Sequence, residues 1–82
     1  MQTTMGTVHQ ITWNDDAPSI CVRIGPSDDD VEALLVVLDG TADEIAYKRC
    51  LIDALGRALM SGRTIVATHG SEDAVIRGLM TK

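Results

Sequence analysis

One long helical segment, with its start and stop both encoded, follows three strand-like runs and precedes two more, and this order restricts the fold more than any other feature. Thr41-Ala42-Asp43-Glu44 has the Thr-x-x-Glu form of a capping box, in which the two end residues satisfy each other's free amides. Helical spacing continues through Tyr47, Leu51, Leu55, Ala58 and Leu59. Ser61-Gly62 ends it, because Gly62 suits the left-handed position past a last helical turn.

The flanking runs read as strands. Thr4 to Trp13 is rich in Thr, Val, Ile and Trp with polar residues interleaved, the pattern of a half-exposed strand. Asn14-Asp15-Asp16-Ala17-Pro18 favours a turn, and Ser19 to Gly25 then alternates, Ile20, Val22 and Ile24 on one side and Ser19, Cys21 and Arg23 on the other. Past a second turn at Gly25-Pro26-Ser27-Asp28-Asp29-Asp30, the run Val31 to Leu38 is almost wholly apolar. It reads as a strand buried on both faces, with a helix as the competing reading. After the helix, Arg63 to His69 is a strand, Gly70-Ser71-Glu72-Asp73 a turn, and Ala74 to Met80 a weaker strand. The expectation is a mainly β protein with one helix, a five-stranded OB-type barrel of order β-β-β-α-β-β, with residues 1–82 as a single domain.

Composition narrows the function. A chain of 82 residues buries only roughly 60–65% of its unfolded surface, so its stability is marginal unless something adds to it. With one Trp, one Tyr and no Phe, the core falls to Val, Ile, Leu, Met and Ala. A net charge of −5 and seven basic residues argue against nucleic acid, which needs cationic patches and stacking aromatics. The same charge argues against anionic membrane surfaces, and no apolar run reaches the roughly 20 residues that insertion needs. Met1-Gln2-Thr3-Thr4-Met5 lacks the basic and apolar blocks of a signal peptide. A cytoplasmic protein is expected if Met1 is the native start, and a secreted or periplasmic one if a signal was removed.

Several segments resemble a known family. Gly6-Thr7-Val8, Trp13-Asn14-Asp15-Asp16 and the alternating strand that ends at Gly25 are similar to the first hairpin of the Shiga-toxin B subunit and related OB-fold binding subunits of AB-type bacterial toxins. Ala58-Leu59-Met60-Ser61-Gly62 followed by Arg63-Thr64-Ile65-Val66 resembles their second half. The resemblance implies an exported, ring-forming subunit with a sugar-binding surface at Asn14, Asp15 and Asp16, where Trp13 would offer a stacking face. The chain departs from the family in its cysteine pattern and in having no aromatics on the third strand.

Other candidate chemistry reads as structural. Asp28-Asp29-Asp30 lacks the spacing and the bending Gly of a calcium loop, so it is expected to be a solubilising turn and not a metal site. His9 and His69 have no partner fixed by spacing and are expected at the surface or rim. No catalytic triad, phosphate loop or cofactor motif appears, and no enzyme is expected. Cys21 and Cys50 permit one bridge, since a contact between the second strand and the helix would bring them within reach; free thiols are the preferred reading.

The helix supplies the clearest pointer to a partner. Ile45, Tyr47, Cys50, Leu51, Ile52, Ala54, Leu55, Ala58 and Leu59 fill more than half its circumference, whereas a helix on a small barrel needs about a 100° stripe. Lys48 intrudes at the apolar edge and is expected to snorkel outwards. The surplus, with a third strand greasy on both faces, implies a homo-oligomer whose interface uses Leu35, Val37, Tyr47, Leu51 and Leu55. The functional expectation is therefore a non-catalytic, self-associating OB-type binding and assembly module, whose partner the sequence does not identify and for which a protein is one candidate. A carbohydrate-binding subunit is the alternative, with a glycan as ligand and Trp13, Asn14, Asp15 and Asp16 as its site.

Overall fold

The computed structural model describes residues 2–14 and 19–81. Its elements are β1 (Gln2–Asn14), β2 (Ser19–Ser27), β3 (Asp30–Val37), α1 (Ala42–Ser61), β4 (Ile65–His69) and β5 (Ile76–Thr81). The five strands form one antiparallel sheet in the order β3-β2-β1-β4-β5. The protein is thus mainly β with one helix, in the element order that the sequence pattern implies.

The 13 residues of β1 serve two partners. Its first part, Gln2 to Gly6, pairs with β4, and Thr7 to Asn14 pairs with β2. The change of partner is accompanied by a bulge at His9, where the register to β2 shifts between Val8 and Gln10. A bulge bends a strand and increases its twist. The bend curls the sheet far enough that its two edge strands approach. They meet at one isolated parallel bridge, Leu35 to Val75, where the Leu35 amide donates to the Ala74 carbonyl at 2.6 Å. No ladder extends from that bridge, and the sheet is not closed into a barrel.

Alternation along the strands sets the core. Ile20, Val22 and Ile24 are all buried, as their period of two predicts, and Ser19, Cys21 and Arg23 take the opposite face. Val8, Leu34, Val36, Ile65, Ala67 and Ile76 join them from the neighbouring strands. Each fully buried aliphatic side chain contributes about 1.5–3 kcal/mol. The third strand departs from expectation. Leu34 and Val36 are buried, but Leu35 and Val37 are only half-buried, and Glu32 and Ala33 are exposed. As an edge strand, β3 has the core behind one face, and only the seam at Leu35 partly covers the other.

Gly6 and Gly25 mark the tightest backbone crossing. A Cβ on Gly6 would collide with the Gly25 backbone, and one on Gly25 would collide with the Asp30 carbonyl and the Val31 Cα. Only glycine lets β1, β2 and the start of β3 approach this closely.

The helix ends match their sequence signals. The Glu44 amide donates to the Thr41 hydroxyl and the Thr41 amide to the Glu44 carboxylate, each at 3.2 Å. Gly62 adopts φ 69°, ψ 20°, and its amide returns to the Ala58 carbonyl at 2.9 Å. The helix rests on β1 and β3 through Leu51, Leu55 and Ala58, with Ile52 partly buried beside them. The buried stripe is narrow. Tyr47, Cys50, Ala54, Leu59 and Met60 remain exposed, so much of the broad apolar arc lies uncovered. Lys48 runs along the apolar edge and donates to the Asp39 carbonyl at 2.8 Å and carboxylate at 2.7 Å.

Candidate functional site

The structure separates the residues that the sequence groups together. Trp13 pairs with Ile20, which in turn pairs with Val36, yet its side chain stands 64% exposed beyond the end of that buried row. An indole so placed offers an open apolar face. Asn14 enters only through its backbone pairing with Ser19, and Asp15 and Asp16 lie outside the described residues.

The five residues expected at an oligomer interface do not share one surface. Leu51 and Leu55 are core side chains, 6% and 1% exposed, because their turn of the helix is the one resting on the sheet. Leu35 is half-buried, with its amide taken up in the seam to Ala74, and Val37 is half-buried at the end of β3. Tyr47 is exposed on a different flank of the helix, its hydroxyl donating to the Arg77 carbonyl at 3.0 Å.

The outer face of the sheet holds an apolar row that the sequence reading missed. Met5 pairs with Val66, and Val66 with Met80, so the three side chains sit side by side across β1, β4 and β5. Met5 and Met80 are 52% and 62% exposed, and Val66 is partly exposed between them. The signal was present in the alternation, since Met5 and Val66 fall out of phase with the inward Thr4, Gly6, Ile65 and Ala67.

His69 departs from the expected surface or rim setting, whereas His9 is partly exposed. His69 is buried, with Nδ1 3.0 Å from the Gly70 carbonyl and Nε2 2.9 Å from the Thr4 hydroxyl. The Thr4 hydroxyl in turn donates its one proton to Glu32 at 2.7 Å. The Glu32 carboxylate also lies 3.8 Å from Nε2. His9, at the bulge, repeats the arrangement. Its Nε2 faces the Gly25 carbonyl at 3.0 Å and its Nδ1 the Asp28 carboxylate at 2.7 Å, with the Thr7 hydroxyl 3.1 Å from Nε2. These two histidines fasten the β2–β3 hairpin onto β1 and β4.

Among the described residues no group of three or more His, Cys, Asp or Glu side chains could hold a metal, and no helix is long and apolar enough to cross a membrane. Asp28 and Asp29 form the turn before β3, and Asp28 is spent on His9. Cys21, half-buried on β2, and Cys50, exposed on α1, are free thiols.

An open groove runs between α1 and β5. At the C-terminal half of the helix it measures about 720 Å³, with a floor of Cys50, Ala54 and Ala58 and with Arg49, Arg57 and Arg63 around it. A second hollow, nearer the helix start, is lined by Asp43, Glu44, Tyr47, Lys48 and Leu51 on one side and by Val75, Ile76 and Arg77 on the other. No family model, no curated protein and no solved structure matches the chain.

Proposed function

We propose that the chain is a non-catalytic binding and assembly module of the OB type that associates with copies of itself through the outer face of its sheet. The observation that carries this reading is the row Met5, Val66, Met80, which leaves two methionines more than half exposed on the outer face of the sheet. Large apolar side chains grouped in this way mark protein interfaces, and covering them adds burial that a chain of 82 residues lacks. Methionine suits such a surface because its flexible thioether adapts to the facing side chains. Support for the OB assignment comes from the strand order, the helix between β3 and β4, and the contact of the edge strands at Leu35 and Val75. Light scattering at micromolar concentration tests the reading. A mass above one chain, reduced to one chain by Met80→Glu, is the expected result; a monomer throughout overturns it.

A carbohydrate-binding subunit is the second reading, and the exposure of Trp13 favours it. An indole face stacks on the apolar side of a sugar ring, and the resemblance to toxin binding subunits points to the same corner. A glycan array probed with the protein and with Trp13→Ala decides it: retention that disappears in the variant supports the reading, and no retention removes it.

A further inference from the structure

We infer that the groove between α1 and the free edge of β5 is a docking site for an extended acidic peptide, which adds a strand to β5 and places its carboxylates against Arg49 and Arg63. Two independent observations converge on this groove. The first is a strand edge without a partner. β5 pairs with β4 on one side, and on the other its approach meets β3 only at Val75. Because β3 ends at Val37, which lies two residues past the bridge, β5 runs on beyond it with no strand beside it among the described residues. The Arg77 carbonyl faces the helix, since it accepts from the Tyr47 hydroxyl. Past the register shift against β4 at Arg77, β5 continues through Leu79 to Thr81, which borders the arginine-lined hollow. Main-chain groups presented in a row beside a helix are the template on which an added strand pairs.

The second observation is charge. The chain has 12 Asp and Glu against seven Lys and Arg, so a cation on its surface has carboxylates in excess to choose from. Lys48, Arg57 and Arg77 do pair, with Asp39, Asp53 and Asp73. Arg49 and Arg63 have no such partner among the described residues, and both border the same apolar floor. Guanidinium forks beside a low, small-residue floor bind carboxylates in two-point fashion and leave room for a backbone to lie close. The charge also selects the occupant. A second copy laid helix to helix would bring Arg49, Arg57 and Arg63 against their own equivalents with only Asp53 to offset them, so the groove favours an anionic segment over its own twin.

This site lies apart from the Met5–Met80 face, so it stands or falls separately from self-association. The test uses the full chain and a fluorescein-labelled octapeptide alternating valine and glutamate, read by fluorescence anisotropy, with amide shifts of β5 followed by NMR. Saturable binding is expected, weakened about tenfold or more by Arg49→Glu with Arg63→Glu, which corresponds to at least ~1.4 kcal/mol. The Leu79 and Thr81 amides are expected to shift and to gain exchange protection. A valine–lysine octapeptide that binds equally well, binding indifferent to the charge reversal, full competition by inorganic phosphate at matched charge concentration, or shifts confined to residues outside β5 and α1 would each overturn the proposal. Circular dichroism of the double variant, matching the parent, ensures that lost binding reports the groove and not the fold.

Discussion

The Nε2 of His69 lies 2.9 Å from the Thr4 hydroxyl, a buried contact that joins the last residue of β4 to the start of β1 across 65 positions of sequence. The same hydroxyl donates to Glu32 at 2.7 Å, so Thr4 links β4, β1 and β3. Thr4→Val keeps the shape and removes both bonds, leaving the buried His69 Nε2 without its Thr4 partner while water takes over at the exposed Glu32 carboxylate. The expected loss is about 1–3 kcal/mol, seen as a lower urea midpoint at neutral pH. Glu32→Gln is the milder variant: its exposed amide oxygen still accepts from Thr4 and the buried His69–Thr4 contact is kept, so its urea midpoint should stay close to the parent's.

Lys48 and Asp39 give the pH dependence. The hydrogen bond and the positive charge of Lys48 hold the Asp39 carboxyl below the ordinary aspartate range. A carboxyl whose folded value is lowered stabilises the fold above its unfolded value, and that contribution is lost as pH falls through the folded one. The window therefore lies below about pH 4. In Lys48→Met the Asp39 carbon-13 titration should move up to the ordinary range, and the acid-side loss of stability should become shallower. An unchanged titration would contradict the assignment.

Gly25 and Gly62 are needed for different reasons, and alanine separates them. At Gly62 nothing lies near the added methyl, but φ is 69°, so the cost is conformational, about 1 kcal/mol. At Gly25 the added atom meets the backbone of Asp30 and Val31, which no rotamer change relieves. Gly25→Ala should cost more, about 1–3 kcal/mol or beyond, because β2 and β3 must part. Thermal melting of the two variants side by side checks the order.

These cases show what the sequence makes legible. Signals that act over four or five residues survive intact: the Thr41–Glu44 box, the Gly62 stop, and the alternation of Ile20, Val22 and Ile24. Relationships set by the curl of the sheet do not. His69 reads as a strand-end residue until β1 and β3 bring Thr4 and Glu32 to it. Val31 to Leu38 reads as doubly buried because an apolar run does not reveal that its strand forms the edge of a sheet. The candidate groove is hidden for the same reason, since Arg49 and Arg63 become neighbours only through the reversal at Gly62.

Leu55 and Tyr47 separate the two roles that helical periodicity assigned to one surface. Both belong to the apolar arc, but Leu55 is 1% exposed and Tyr47 52%. Leu55→Ala opens a cavity among β-strand side chains and should cost about 2–5 kcal/mol. Tyr47→Phe removes only an exposed hydroxyl, whose bond to the Arg77 carbonyl competes with water, so its cost should stay within about 0.5 kcal/mol. That hydroxyl nevertheless occupies an acceptor on the β5 edge that an added strand would use. Tyr47→Phe should therefore leave the melting temperature almost unmoved and bind the acidic octapeptide at least as tightly as the parent. A marked loss of stability in Tyr47→Phe would show that the hydroxyl anchors the helix to β5, and that the edge beside it is not free to accept a strand.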